Sequence, residues 1–297
     1  MKQILSETVF ILATLILSFS SPSASAQVKY DGGMQNVRYS EQDLKIFDRV
    51  MDSILPYKDL PSGELMVKTA MQFLGTPYVA YTLEIDPEEL TVNLHETDCI
   101  LFVEMCLGFT LTAKSGTPNF ATYCNIVRSL RYKNGIVNGY PSRNHYTTAW
   151  ILQAEGNGIL KEISKDLGGK EFEQQFSYMS SHPQNYRQIR ENPALAEEIM
   201  ATERSLDGKY WYLPKDGLDL TSKGIRDGDI ICYCYDRNRV PGLDIAHVTI
   251  AYHAKDGRLT FIHASSADHK VEVNDEPVIP YVRGMKSHSG IRVLRIN

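Results

Sequence analysis

The sequence predicts an α+β fold, with helices first and an antiparallel sheet after them, on three observations. Up to about residue 131 the apolar residues recur at helical spacing; from Gly228 onwards short β-branched and aromatic runs alternate with Gly, Asp and Pro; and the polar stretch between, Tyr140 to Leu213, carries no clear strand signal. With 297 residues, 43% of them apolar and 23% charged, the chain can bury a large core and is too apolar to be disordered. No internal repeat or linker-like stretch divides it, which predicts one domain over residues 27–297, elaborated at about 140–213.

The first 26 residues stand apart from that fold. Lys2 supplies a short positive region, Val9 to Phe19 is an apolar run too short to span a bilayer, and Ala24-Ser25-Ala26 is a small-x-small cleavage site before Gln27. Residues 1–26 read as a secretory signal peptide, and Glu7 argues against the alternative of an uncleaved anchor. The mature chain is therefore expected outside the cytoplasm, in the periplasm or secreted, with no stable membrane insertion. Its net charge of -5 makes no electrostatic case for nucleic acid.

In chain order, Leu44, Phe47, Val50, Met51, Ile54 and Leu55 form one stripe of a helix over Gln42 to Leu55, and Leu65 to Leu74 is a second helix stopped at Gly75. Gly75-Thr76-Pro77-Tyr78 breaks the pattern. In NLHETDCILFVEM, Asp98 is placed to cap a helix whose apolar stripe includes Cys99, Val103, Cys106, Leu107 and Thr110. Phe120, Tyr123, Cys124, Val127 and Leu130 mark another helix, and Pro193 to Ser205 one within the polar region. DIICYCY, HVTIAYH, RLTFIHA and GIRVLRI then read as strands.

The five cysteines do not suggest a disulfide framework, because Cys99 and Cys106 lie two helical turns apart and Cys232 and Cys234 next-but-one on a strand. At most one pair, involving Cys124, is feasible. On its stripe alone Cys99 reads as a small buried hydrophobe. In the first turn of a helix, however, free amides and the helix dipole would lower its pKa and could hold an oxyanion. A nucleophile there needs a base from elsewhere. His247 and His263 lie on consecutive strands, and a two-residue turn between those strands would put them on opposite faces. A three-residue Lys255-Asp256-Gly257 loop with Gly257 left-handed would instead set His263 opposite Thr249 and bring both rings to one face. Asp98, Cys99, His247 and His263 are also possible zinc ligands, but no Cys-x-x-Cys or His-x-x-x-His spacing supports a metal.

These residues resemble the NlpC family of papain-like bacterial cell-wall cysteine peptidases: Gly75 to Tyr78, Asp98-Cys99, Gly228-Asp229, His247-Val248 and Phe261 to Ala264 stand in family order. The longer context is similar to the N-acetylmuramoyl-L-alanine amidase-like branch, through Phe102-Val103-Glu104, Ser142-Arg143 with His145-Tyr146 and Trp150, Gly242-Leu243-Asp244 and His263-Ala264-Ser265-Ser266. Ile100 departs from the small polar residue expected after the nucleophile. The resemblance implies an NlpC fold with N-terminal helices packed on a central antiparallel sheet. It also implies Cys99 as nucleophile, His247 as general base, His263 as its orienting partner and Tyr78 beside the thiol, with no cofactor. It implies muropeptide substrates, including 1,6-anhydro fragments, cut between N-acetylmuramic acid and L-alanine. The alternatives are cleavage after γ-D-glutamate or a muropeptide-binding module without catalysis. Within the polar region Arg143 is the candidate partner of a substrate carboxylate, and Tyr146 or Trp150 a platform for a sugar face, unless the last two merely pack one helix face.

Overall fold

In the computed structural model, which describes residues 37–297, the first helix, α1 (Glu41–Ile54), opens on a reciprocal cap. Ser40 Oγ accepts from Asp43 N, and the Asp43 carboxylate accepts from Ser40 N. The expected signal segment, 1–26, lies outside the described residues. Ahead of α1, β1 (Val37–Arg38) pairs in parallel with β2 (Leu90–Thr91). The other early helices are α2 (Ser62–Met71), α3 (Cys99–Lys114), α4 (Phe120–Arg131) and α5 (Thr147–Gly156). Phe47, Phe109 and Tyr123 pack ring against ring where α1, α3 and α4 meet, with centroids 5.4 and 4.7 Å apart along that series.

The sheet is antiparallel and runs β4-β5-β10-β6-β7-β8-β9, with β3 also pairing β10. Its strands are β3 (Leu160–Glu162), β4 (Lys170–Gln174), β5 (Gly208–Pro214), β6 (Ile230–Tyr235), β7 (Ile245–His253), β8 (Leu259–Ser265), β9 (Lys270–Val273) and β10 (His288–Ile296). Alternation along these strands makes two cores. Cys232, Val248, Ile250, Ile262 and Ala264 face the helices α1 to α5, while Ile231, Tyr233, Ala251 and Phe261 face Val278 and Val282. That second core includes α9 (Leu218–Thr221) and α10 (Val278–Gly284). A third cluster, including Tyr140, Tyr146, Phe176 and Ile199, gathers α6 (Tyr178–Ser181), α7 (Arg187–Glu191) and α8 (Leu195–Leu206).

The five helices and four late strands that the sequence places fall within a few residues of their expected positions, while the short α6, α7, α9 and α10 have no counterpart among them. The polar region differs: it contributes β3, β4 and β5, and β9 was likewise not foreseen. Lys170-Glu171-Phe172-Glu173-Gln174 is an edge strand with one apolar residue, held by its backbone ladder to β5. Such a strand needs no apolar alternation to pair.

Buried charge fixes the layers. Glu104 on α3 accepts from Arg131 Nε of α4 at 2.9 Å and from Trp150 Nε1 of α5 at 3.2 Å. Arg292 on β10, 1% exposed, donates twice to Glu162 and once to Thr148. Asp244 accepts from Thr148 N at 2.7 Å, capping α5 from the loop before β7. At the corner before β6, Gly228 has φ +81° and lies so close to Gly63 that an added Cβ would come within 2.2 Å of its carbonyl oxygen. Asp229 beside it receives a bidentate pair from Arg295.

Candidate active site

Asp98 caps α3 as expected, its Oδ1 accepting from Leu101 N at 2.9 Å. The chain leading into it is pinned on both sides. Thr97 N donates to Pro77 O and Val79 N to Thr97 O, while Gly75 N donates to Val271 O and Tyr78 N to His269 O. Gly75-Thr76-Pro77-Tyr78 is thus threaded between β9 and the residues preceding Cys99. Tyr78 holds its hydroxyl proton more tightly than usual because of burial, then because of negative charge at Cys99 and Asp98, so phenol and thiol are within electrostatic reach.

The β7–β8 loop has the three-residue geometry. Gly257 has φ +82°, Gly257 N donates to Ala254 O, and Ala254 N donates to Arg258 O. Pairing runs from His253–Leu259 to Ile250–Ile262, a register that sets His263 level with Thr249 and puts both imidazoles on one face. His247 Nε2 and His263 Nδ1 are 2.8 Å apart, with the rings inclined at 78°.

Beyond Ile250–Ile262 the two strands part. β7 stays with β6, with a bulge at Ala246, and β8 goes on with β9. Even-numbered residues of β7 direct their amides towards β8, as Ala254 does, so the Val248 amide points into the opening. There it donates to the Cys99 sulfur, and α3 packs against both strands. Cys99 therefore comes to the residue next to His247. A cavity of about 330 Å³ opens on the same face, lined by Tyr235, His247, His263, Asp268, Tyr281 and His288 among others. Burial, and then charge at Cys99, raises the pKa of both Tyr235 and Tyr281, so the sulfur reaches this cleft electrostatically.

The electrostatics differ from the expectation that the helix start lowers the thiol pKa. Burial pushes Cys99 up to about 12, the Asp98 carboxylate adds to this, and amide bonds from Val248 and Ile100 oppose it without prevailing. Burial also takes His247 down to about 3, helped by His263 and His288, and His263 down to about 4. Thiol and imidazole are each neutral at rest. All five cysteines are free, so the feasible Cys124 disulfide is not formed. Among the described residues no group of three or more His, Cys, Asp or Glu has metal-holding geometry, and no helix is long and apolar enough to cross a membrane.

Arg143 and Trp150 line a separate cavity of about 80 Å³ together with Ile100 and Leu101 at the start of α3. Arg143 is 5% exposed and donates to Glu84 Oε1 at 2.7 Å and Leu83 O at 3.0 Å, so its guanidinium is engaged internally. Tyr146 donates to Glu203 at 2.6 Å and accepts from Met179 N, and Trp150 is 2% exposed against Glu104. Tyr146, just ahead of α5, packs in the third cluster and Trp150 in the helical core, so the two do not share one packed face. Ile100 packs against the helical core. Sequence reasoning passed over Tyr81, 76% exposed at φ +65° beside Tyr78, and Glu272, whose Oε1 is 3.8 Å from His263 Nε2. The left-handed tyrosine has no sequence signal, and Glu272 lies on the unforeseen β9.

No curated protein sequence matches the chain. Solved structures do. An N-acetylmuramoyl-L-alanine amidase from Bacteroides uniformis ATCC 8492 is similar at 37% identity and a TM-score of 0.73, over 80% of this chain and 99% of that one. A Bacteroides fragilis protein provisionally named a xylanase is similar at 35% identity and a TM-score of 0.70, over 76% and 98%. A Legionella pneumophila protein shares the fold alone, at 20% identity and a TM-score of 0.62, over 86% and 96%. The family model of N-acetylmuramoyl-L-alanine amidase-like proteins matches residues 68–291, and with three quarters of its length so matched the chain belongs to that family.

Proposed function

We propose that this protein is an exported peptidoglycan amidase that hydrolyses the bond between N-acetylmuramic acid and L-alanine in muropeptides, 1,6-anhydro fragments included. The reaction is covalent cysteine catalysis on a papain-like NlpC fold. Family membership and the 37%-identical neighbour named for this activity support the reaction class. The observation that carries the mechanism is the 2.8 Å bond between His247 and His263, on the strand whose next amide meets the Cys99 sulfur.

That bond occupies His247 Nε2 and leaves Nδ1 free to take the thiol proton. Proton transfer from Sγ to Nδ1 creates both charges together, so their attraction offsets part of the burial that disfavours each alone. The sulfur attacks the lactyl carbonyl carbon, and the carbonyl electron pair becomes an oxyanion held by the Cys99 amide and Tyr78 hydroxyl. His247 Nδ1–H then protonates the departing L-alanine amine as the C–N bond breaks, leaving a thioester. Water, deprotonated by the same nitrogen, attacks the thioester, and the carboxylate leaves as the thiol is restored. His263 keeps the ring oriented throughout, as the third member does in other triads.

Mass spectrometry of products from a defined anhydro-muropeptide tests the bond. Free stem peptide and a peptide-free sugar are expected. A sugar retaining L-alanyl-D-glutamate would make the protein a γ-D-glutamyl endopeptidase, and release of sugars from xylan would favour glycoside hydrolysis. Cys99→Ala should bind muropeptides and cleave none. Binding without cleavage by both forms would reduce the protein to a recognition module.

A further inference from the structure

Glu272 is paired with His263 across β8 and β9, and its Oε1 lies 3.8 Å from His263 Nε2. That nitrogen is buried and has no hydrogen-bond partner of its own, while His263 Nδ1 faces His247. One proton must lie between the two rings, and which ring carries it decides whether His247 can act as a base. If His263 Nδ1–H donates, His263 Nε2 is a bare lone pair, buried and turned towards a carboxylate. His247 Nε2 then accepts, and its own proton sits on Nδ1, the position that has to receive the thiol proton. If instead His247 Nε2–H donates, His247 Nδ1 is bare, and His263 carries its proton on Nε2, facing Glu272. A carboxylate favours the second arrangement, because it attracts the N–H and repels the lone pair.

We propose that Glu272 is a positioning residue that sets the tautomers of His263 and, through it, His247, so that His247 Nδ1 stands unprotonated opposite the Cys99 thiol. This rests on the cysteine mechanism above. It adds no proton transfer: Glu272 stays a carboxylate, each imidazole keeps its one proton, and only the proton leaving Sγ moves.

Other charges surround the pair, and burial together with Asp268 raises the Glu272 pKa while Lys270 opposes the rise. Asp268 lies beside Glu272 and accepts from Ser265 Oγ at 3.0 Å, and Lys270 Nζ is 3.6 Å from Glu272 Oε2. From β10, His288 approaches His247, and Lys215 approaches His288. Asp268 is the charge that raises the His263 pKa against burial, and the Glu272 carboxylate is the group 3.8 Å from Nε2 itself.

Nitrogen-15 NMR of the histidine rings in the full mature protein tests the assignment without activity. The wild type should show His247 protonated on Nε2 and bare on Nδ1, with His263 in the same tautomer. Glu272→Leu removes the acceptor and should shift both rings towards the Nδ1–H form. It should lower kcat by roughly 10–100-fold, the loss typical when an imidazole's outer partner is removed, with KM within about twofold. Glu272→Gln keeps an acceptor oxygen and should recover most of that loss. Thermal unfolding unchanged between the variants separates this from a folding defect. A wild-type His247 protonated on Nδ1, or a Leu variant with unchanged tautomers, would overturn the role of Glu272 while leaving the Cys99→Ala test untouched. If Cys99→Ala still cleaves muropeptides but the tautomers shift as stated, the cysteine mechanism fails and the tautomer assignment stands.

Discussion

Asp43 ties the start of α1 to the Leu94–His95 segment ahead of Cys99, and its loss should destabilise the fold. The side chain is 1% exposed and its carboxylate takes bonds from Ser40 N at 2.7 Å, Ser40 Oγ at 2.6 Å, Leu94 N at 2.8 Å and His95 Nδ1 at 2.8 Å. Asp43→Ala deletes the reciprocal cap of α1, at about 1 kcal/mol. It also leaves the buried Leu94 amide without an acceptor, at about 1–3 kcal/mol. The expected loss is about 2–4 kcal/mol, read as a Tm fall at the roughly 2–4 °C per kcal/mol of larger domains. His95, a third exposed, is counted as nothing here. The loss should depend on pH in two opposite senses. Burial works against the Asp43 anion, but the bonds from His95, Leu94 and Ser40 outweigh it and hold the folded pKa below 3.8. Its contribution is therefore present above 3.8 and lost as pH falls through the folded value. His95 is raised above 6.5 by its bond to Asp43, so its contribution is complete below 6.5 and lost as pH rises through the folded value. Urea unfolding of both proteins across pH should give a stability difference that is largest between those limits and shrinks on either side. A difference below about 1 kcal/mol, or one flat in pH, would refute the account of this cap.

Three further outcomes are expected. With its pKa pushed up to about 12, Cys99 in the free protein should react with iodoacetamide at a rate rising about tenfold per pH unit through neutrality; a plateau below pH 7 would mean a resting thiolate. Glu104→Gln should cost about 3–5 kcal/mol in chemical unfolding, because it leaves the Arg131 charge buried and unpaired, and Glu104→Leu combined with Arg131→Met should cost less than the single change. Gly228→Ala places a Cβ into Gly63 at a positive φ and should cost more than about 2 kcal/mol, measured the same way.

What the sequence discloses here is what local rules govern. The capped start of α3 follows from Asp98 and the apolar stripe behind it, and the shared face of His247 and His263 follows from one left-handed glycine and the two-residue period of a strand. Pairing between distant polar segments has no such local mark, which is why β4 and the short β9 were invisible although β9 carries Glu272. Arg143, Tyr146 and Trp150 show a related limit. A polar or aromatic residue in a polar stretch looks available to a ligand, and only tertiary structure reveals that Glu84, Glu203 and Glu104 already engage them. The thiol shows the same gap in energetic form. The helix start was visible and the depth of burial was not, and burial decides the sign of the shift.

That sign has a consequence for how such a site stays safe. Moving a proton from a thiol near 12 to an imidazole near 3 costs on the order of 10 kcal/mol at about 1.4 kcal/mol per pKa unit, before the two charges interact. Their attraction at contact distance returns roughly 4 kcal/mol in a partly polar protein environment. The ion pair is therefore a scarce state of the free protein, and most of the remaining cost has to be met as the substrate is attacked. In the proposed mechanism negative charge then leaves the sulfur for an oxygen held by the Cys99 amide and Tyr78, so proton transfer and C–S bond formation favour one another. Under the cysteine mechanism, the resting thiol is a weak nucleophile that gains strength as a substrate carbonyl is attacked.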